Sequence, residues 1–179
     1  SWATVSTFAH GVDSHARLDA AGQTVLAVVG LRLWVSRDGG QTFSGPIGGG
    51  LPVTYGFSSV DSVDGRTLYA TSPEWHVYRS SDGGDTFSRV YTNREADDGR
   101  TMVWGAARIR VFPAQPRNVL VWPGFGAWER VTLRTTDAFQ TASVGSGVDG
   151  TWPILALSPT DPDSAMLFGS DRGVVSRDL

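Results

Sequence analysis

The 179-residue chain contains no cysteine. A disulfide scaffold and a thiolate metal site are therefore excluded. Lysine is also absent, so all 15 basic residues are arginines. Charge is sparse: 18% of residues are charged and the formal net charge is −3, with a sequence pI near 5.5. The basic stripe of a nucleic-acid binder is missing, so no nucleic-acid partner is expected. No apolar run approaches the ~18 residues that span a bilayer, so no membrane insertion is expected. Ser1-Trp2-Ala3-Thr4 does not read as a secretory signal. What is abundant is 22 glycines, 9 prolines and 7 tryptophans, a mixture that favours many short strands joined by turns. The length fits one domain with a substantial core.

The chain repeats itself. Ser36-Arg37-Asp38-Gly39-Gly40-Gln41-Thr42-Phe43 returns as Ser80-Ser81-Asp82-Gly83-Gly84-Asp85-Thr86-Phe87. A degraded copy, Thr135-Thr136-Asp137-Ala138-Phe139-Gln140-Thr141-Ala142, follows, and Ser176-Arg177-Asp178-Leu179 is a truncated one. The aspartates recur at roughly the period of a propeller blade. In each copy the Asp is placed to accept hydrogen bonds from the amides after it, and Gly supplies positive φ at no steric cost. The Phe is expected to open the next strand and pack between sheets. Ser36, Asp38, Gly40, Thr42, Phe43, Ser80, Asp82, Gly84, Thr86, Phe87, Asp137 and Asp178 are thus read as structural turn residues.

The strand grammar around each copy is constant. Val25–Val29, Leu33–Ser36 and a strand from Thr42 match Thr67–Ala70, Val77–Ser80 and a strand from Thr86. Asn118–Trp122 with Val131–Arg134, and Ser164–Phe168 with Gly173–Ser176, form the later pairs. Ala16–Leu18, Tyr55–Val60, Arg108–Phe112 and Pro153–Leu157 precede the four pairs. No stretch shows helical periodicity. The expected fold is all-β: four-stranded antiparallel meanders, about four of them, forming a β-propeller over residues 1–179. The last unit lacks its outer strand. Ser1-Trp2-Ala3-Thr4-Val5-Ser6-Thr7-Phe8 resembles a strand that follows the turn, and is expected to complete that unit and close the ring. A segment of a larger ring, or half of an eight-bladed dimer, remains open.

The repeated turn resembles the Asp-box, or BNR repeat, Ser-x-Asp-x-Gly-x-Thr-Trp/Phe. That resemblance covers nearly the whole chain. It implies a propeller like those of sialidases, xyloglucan-cleaving glycosidases, the sortilin luminal domain, photosystem assembly factors, lectins and phage tail proteins. It specifies fold and not activity.

In such a meander the box turns emerge at one end. The turns between the second and third strands, and the connections between units, emerge at the other. That second end collects all three His and all three Glu, with Trp75, Trp104, Trp128 and Trp152. The expected ligand-binding set is Trp75 and Trp128 as stacking faces, with polar contacts from Glu74, His76, Glu129, Arg130 and Arg100. No catalytic residue, metal site or cofactor is expected. The histidines lack metal spacing, and Arg108-Ile109-Arg110-Val111-Phe112-Pro113 is not the Arg-Ile-Pro signature of sialidases, in form or position. Glu74 and Glu129 share a turn position, so a two-carboxylate hydrolase pair remains a minor alternative. The main expectation is a non-catalytic module that binds a glycan or protein partner. A structural component of a phage tail or virion, within a homo-oligomer or larger assembly, is the other. Either suggests an extracellular or virion-associated location.

Overall fold

The computed structural model describes residues 16–48, 56–93, 107–123, 131–146, 154–157, 164–168 and 173–176. Its described elements are all strands. The first sheet is β1 (Ala16–Ala21), β2 (Thr24–Val29), β3 (Arg32–Ser36) and β4 (Ser44–Ile47). The second is β5 (Ser59–Ser62), β6 (Leu68–Thr71), β7 (Val77–Ser80) and β8 (Ser88–Tyr91). The third is β9 (Ala107–Phe112), β10 (Gln115–Pro123), β11 (Val131–Thr135) and β12 (Ser143–Ser146). A three-stranded sheet of β13 (Ile154–Leu157), β14 (Ala165–Phe168) and β15 (Gly173–Ser176) follows. Every sheet is an antiparallel meander with its strands in chain order. No helix among the described residues is long and apolar enough to cross a membrane. The segment Ser1–Phe8, expected to add a strand to the last sheet, lies outside the described residues, as does Asp178.

The sheets pack face to face, which explains the near-continuous apolar runs in β2, β6 and β10. Leu26, Val28, Leu33 and Val35 of the first sheet meet Phe57, Val60, Leu68, Ala70 and Tyr78 of the second. The period of two then turns Tyr69 and Val77 to the opposite face. There they join Ile109, Val111, Val119, Val121 and Leu133 of the third sheet. Leu120 and Trp122 continue the progression, with Leu155 of the last sheet packed against them. The innermost strands β1, β5 and β9 lie beside one another in sequence.

Among the strand boundaries that differ from the sequence expectation, β1 runs on to Ala21 and β10 begins at Gln115, and three others have a local cause. β4 and β8 begin at Ser44 and Ser88, not at the preceding Thr-Phe pairs. The cause is local: Thr42 and Thr86 are still tied back to their turn aspartates. β5 begins at Ser59; Ser58 still donates its amide to the Thr71 carbonyl of β6 at 2.7 Å, and only Phe57 turns away. The Phe57 amide donates instead to the Leu31 carbonyl of the first sheet, at 2.8 Å.

Candidate functional site

At one end of the sheets, three turns share one hydrogen-bond pattern. Ser36 Oγ donates to Asp38 Oδ1 at 2.7 Å and accepts the Gly40 amide at 2.8 Å. Asp38 then accepts the Thr42 amide at 2.9 Å and the Thr42 hydroxyl at 2.5 Å. Ser80, Asp82, Gly84 and Thr86 repeat this, and so do Thr135, Asp137, Phe139 and Thr141. The hydroxyl and amide of the Thr stabilise the ionised Asp. They hold the Asp38 and Asp137 carboxyls down at about 2, and push Asp82 the same way. Phe87 packs at 5.5 Å from Phe57, between the first two sheets. These aspartates are fully used in closing hairpins.

The opposite end carries the predicted ligand set. Of that set, Arg100, Trp128, Glu129 and Arg130 lie outside the described residues. Glu74, Trp75 and His76 are in the turn between β6 and β7. The Trp75 amide donates to the Ser72 carbonyl at 3.0 Å, and the Ser72 amide to the His76 carbonyl at 3.1 Å. The turn closes only because Trp75 takes a left-handed φ of 66°, a costly conformation for a bulky residue. Its ring is 4% exposed and belongs to the core between the second and third sheets. The expectation that Trp75 offers a stacking face is therefore corrected: burial of its large apolar ring removes that face.

His76 is also buried, at 7% exposed. Its Nδ1 accepts the Asn93 amide at 3.1 Å, and Asn93 Nδ2 donates to the Glu74 carbonyl at 3.3 Å. Because Nδ1 accepts, the ring is neutral with its proton on Nε2. This bracket fixes the root of the connection that leaves β8 to the turn that leaves β6. Glu74 Oε2 is buried without a partner.

The structure also assembles a site that no sequence motif announced. Asp19, Asp61 and Arg110 occupy equivalent register positions on the three innermost strands. They pair across their ladders with Leu26, Tyr69 and Leu120, each one step inside the residue opposite its turn Ser or Thr. Ala156, opposite Met166, holds the same position in the last sheet. Arg110 Nη1 lies 2.8 Å from Asp19 Oδ1 and 3.4 Å from Asp61 Oδ1. Asp61 Oδ2 accepts the Val111 amide of the next sheet at 2.7 Å. The Ser62 amide donates to Asp61 Oδ1 at 2.8 Å and to Asp19 Oδ2 of the previous sheet at 3.3 Å.

The Asp61 carboxyl, only 3% exposed, is pushed up to about 8, first by burial and then by the neighbouring Asp19 carboxylate. Arg110 opposes this weakly, since its shorter contact goes to Asp19. Asp19 and Arg110 line two pockets, one on either side of their contact. One of about 480 Å³ opens at the box end, among Asp19, Asp61, Val63, Arg110 and Pro113. The other, of about 300 Å³, lies toward the loop end, among Leu18, Ser59, Arg108, Trp122 and Leu155. Alternation on β1, β5 and β9 placed these charges, and only strand register exposes it. Among the described residues no group of His, Asp and Glu is arranged to hold a metal ion.

Radially packed meanders with an axial channel are the organisation of a β-propeller, and the solved structures this chain is similar to are propellers. They include a GH74 enzyme of Niastella koreensis, at 13% identity and a TM-score of 0.64, covering 93% of this chain and 22% of that one. The GH74 xyloglucanase of Xanthomonas campestris matches at 16% identity and a TM-score of 0.61, covering 88% and 26%. The structure titled "YCF48 bound to D1 peptide" matches at 16% identity and a TM-score of 0.55, covering 90% and 54%. The chain thus spans about a quarter to a half of these proteins, and the likeness at such identities is one of fold. No protein-family model matches the sequence, and neither does any curated protein.

Proposed function

We propose that the chain is a non-catalytic binding module that recognises a protein segment at the loop end of an Asp-box propeller. Its four blades form the ring, and the N-terminal strand completes the last of them. The observation that carries this reading is the bracket of Glu74, His76 and Asn93. It gives the polar loop after β8 a rigid root, and rigidly mounted loops are where recognition concentrates. The D1 peptide bound in the similar YCF48 structure supports a protein partner. The burial of Trp75 takes away one of the two aromatic platforms that favoured a glycan. The axial carboxylates are engaged with backbone amides and Arg110, which supports binding over hydrolysis. Arg100, Trp128, Glu129 and Arg130 remain proposed contacts alongside Glu74.

The test is a random-peptide display selection beside a glycan array on the same folded sample. Selected peptides that lose affinity on Glu74→Ala and Arg130→Ala, with an unchanged Tm, are the expected result. A blank selection with specific glycan binding overturns the protein reading in favour of a lectin.

A further inference from the structure

We propose that the axial pocket on the loop side of the Asp19–Arg110 pair binds the carboxylate of a small, partly apolar organic group, with Arg108 as the receiving cation. The observation is a charge out of balance. Arg110 is balanced by the Asp19 carboxylate at 2.8 Å, while the Asp61 carboxyl beside it is held neutral by burial. Arg108, two residues earlier on the same face of β9, is half-buried and its Nε has no partner. Burial alone pulls its pKa down. A desolvated guanidinium without a counter-charge is costly, and a bidentate carboxylate restores the balance.

The rest of the pocket fits the same ligand. Its volume is about 300 Å³, at the small end of organic-ligand sites. Leu18, Val60, Ile109, Trp122 and Leu155 supply apolar wall beside a polar side made by Asp19, Ser59, Arg108 and Arg110. Leu18 is 71% exposed although it sits on an innermost strand, so it offers unpaired hydrocarbon surface to a ligand. Ser59 Oγ accepts the Ile109 amide at 3.4 Å and keeps its own proton to donate. The floor decides the ligand's charge. Asp19 lines this pocket too, and it repels a phosphate dianion more than a single carboxylate. One uncompensated cation calls for one negative charge.

This proposal does not require the loop-end reading to hold. The experiment follows the Arg108 Nε–Hε NMR resonance while 4-methylpentanoate is titrated into the full chain. The isosteric 4-methylpentanamide serves as the comparison, because it needs no variant that must fold. The acid is expected to shift the resonance saturably and to bind about tenfold or more tightly than the amide, the loss a missing charge-assisted hydrogen bond gives. Arg108→Gln is expected to abolish that preference while far-UV circular dichroism stays unchanged and Tm does not fall. A second arm compares a leucine-terminated peptide carrying a free C-terminus with its C-terminal amide. Binding by the small acid assigns the pocket to a free organic acid, and binding only by the free-terminus peptide assigns it to a chain end. Equal binding of acid and amide, an acid preference that survives Arg108→Gln, or no binding in either arm overturns the proposal.

Discussion

Ala138 and Phe139 occupy the two turn positions that glycines fill in the other copies. Their φ values are 62° and 67°, against 71° and 91° for Gly39 and Gly40. The backbone keeps the shape because Thr135 and Asp137 hold it from both ends. Phe139 offsets its strain by burying a ring 6.2 Å from both Tyr69 and Tyr91. Ala138 has no comparable compensation, so Ala138→Gly is expected to stabilise the fold by roughly 0.5–1 kcal/mol, read as a higher Tm. Gly84→Ala has the opposite sign. Its φ is 99°, and the new methyl would collide with Ile47 Cδ1 and stand 3.2 Å from Leu68 Cδ1. A loss of about 1–3 kcal/mol is expected in chemical denaturation. The turn aspartates add an acid limit. Their folded pKa lies below the ordinary carboxylate value, so their stabilisation is complete above about pH 4 and is lost as pH falls toward 2. A Tm–pH profile is expected to drop steeply there in the wild type and less so in Asp38→Asn.

The turn between β6 and β7 shows what an element hides from its sequence. Ser72-Pro73-Glu74-Trp75-His76 reads as a polar loop bearing an exposed aromatic. The left-handed backbone at Trp75 instead turns the ring into the inter-sheet core. Trp75→Ala is therefore expected to cost about 3–5 kcal/mol of stability, seen as a large Tm loss before any effect on a ligand. Strand positions were legible because the second and third sheets are covered on both faces, leaving apolar runs such as Val119-Leu120-Val121-Trp122 between turns. Their ends were not, where a side chain and the backbone compete for one amide, as at Thr42 and Thr86. The axial set was illegible for a different reason. Asp19, Asp61 and Arg110 share no spacing to their turns, and only ladder pairing shows that they are equivalent.

Across the whole molecule, Asp61 sets a pH dependence opposite to that of the turns. Its folded pKa is raised, so its contribution to stability is complete below the ordinary carboxylate pKa and fades as pH rises toward about 8. Equilibrium unfolding between pH 5 and 8 is expected to show declining stability, and Asp61→Asn to flatten that slope. A slope that persists in the variant would place the titrating group elsewhere. With the turn aspartates, this puts the most stable conditions in a mildly acidic window. The axial charges also bear on how such a chain diversifies. Repeated sheets arise readily by copying a gene segment, and identical copies are interchangeable. Here one rung reads Asp19, Asp61, Arg110 and Ala156 across the four described sheets, so the copies are not interchangeable. Exchanging the second and third sheets would separate Asp61 from the Val111 amide it now accepts. One rung that differs from sheet to sheet therefore makes the order of otherwise similar parts matter.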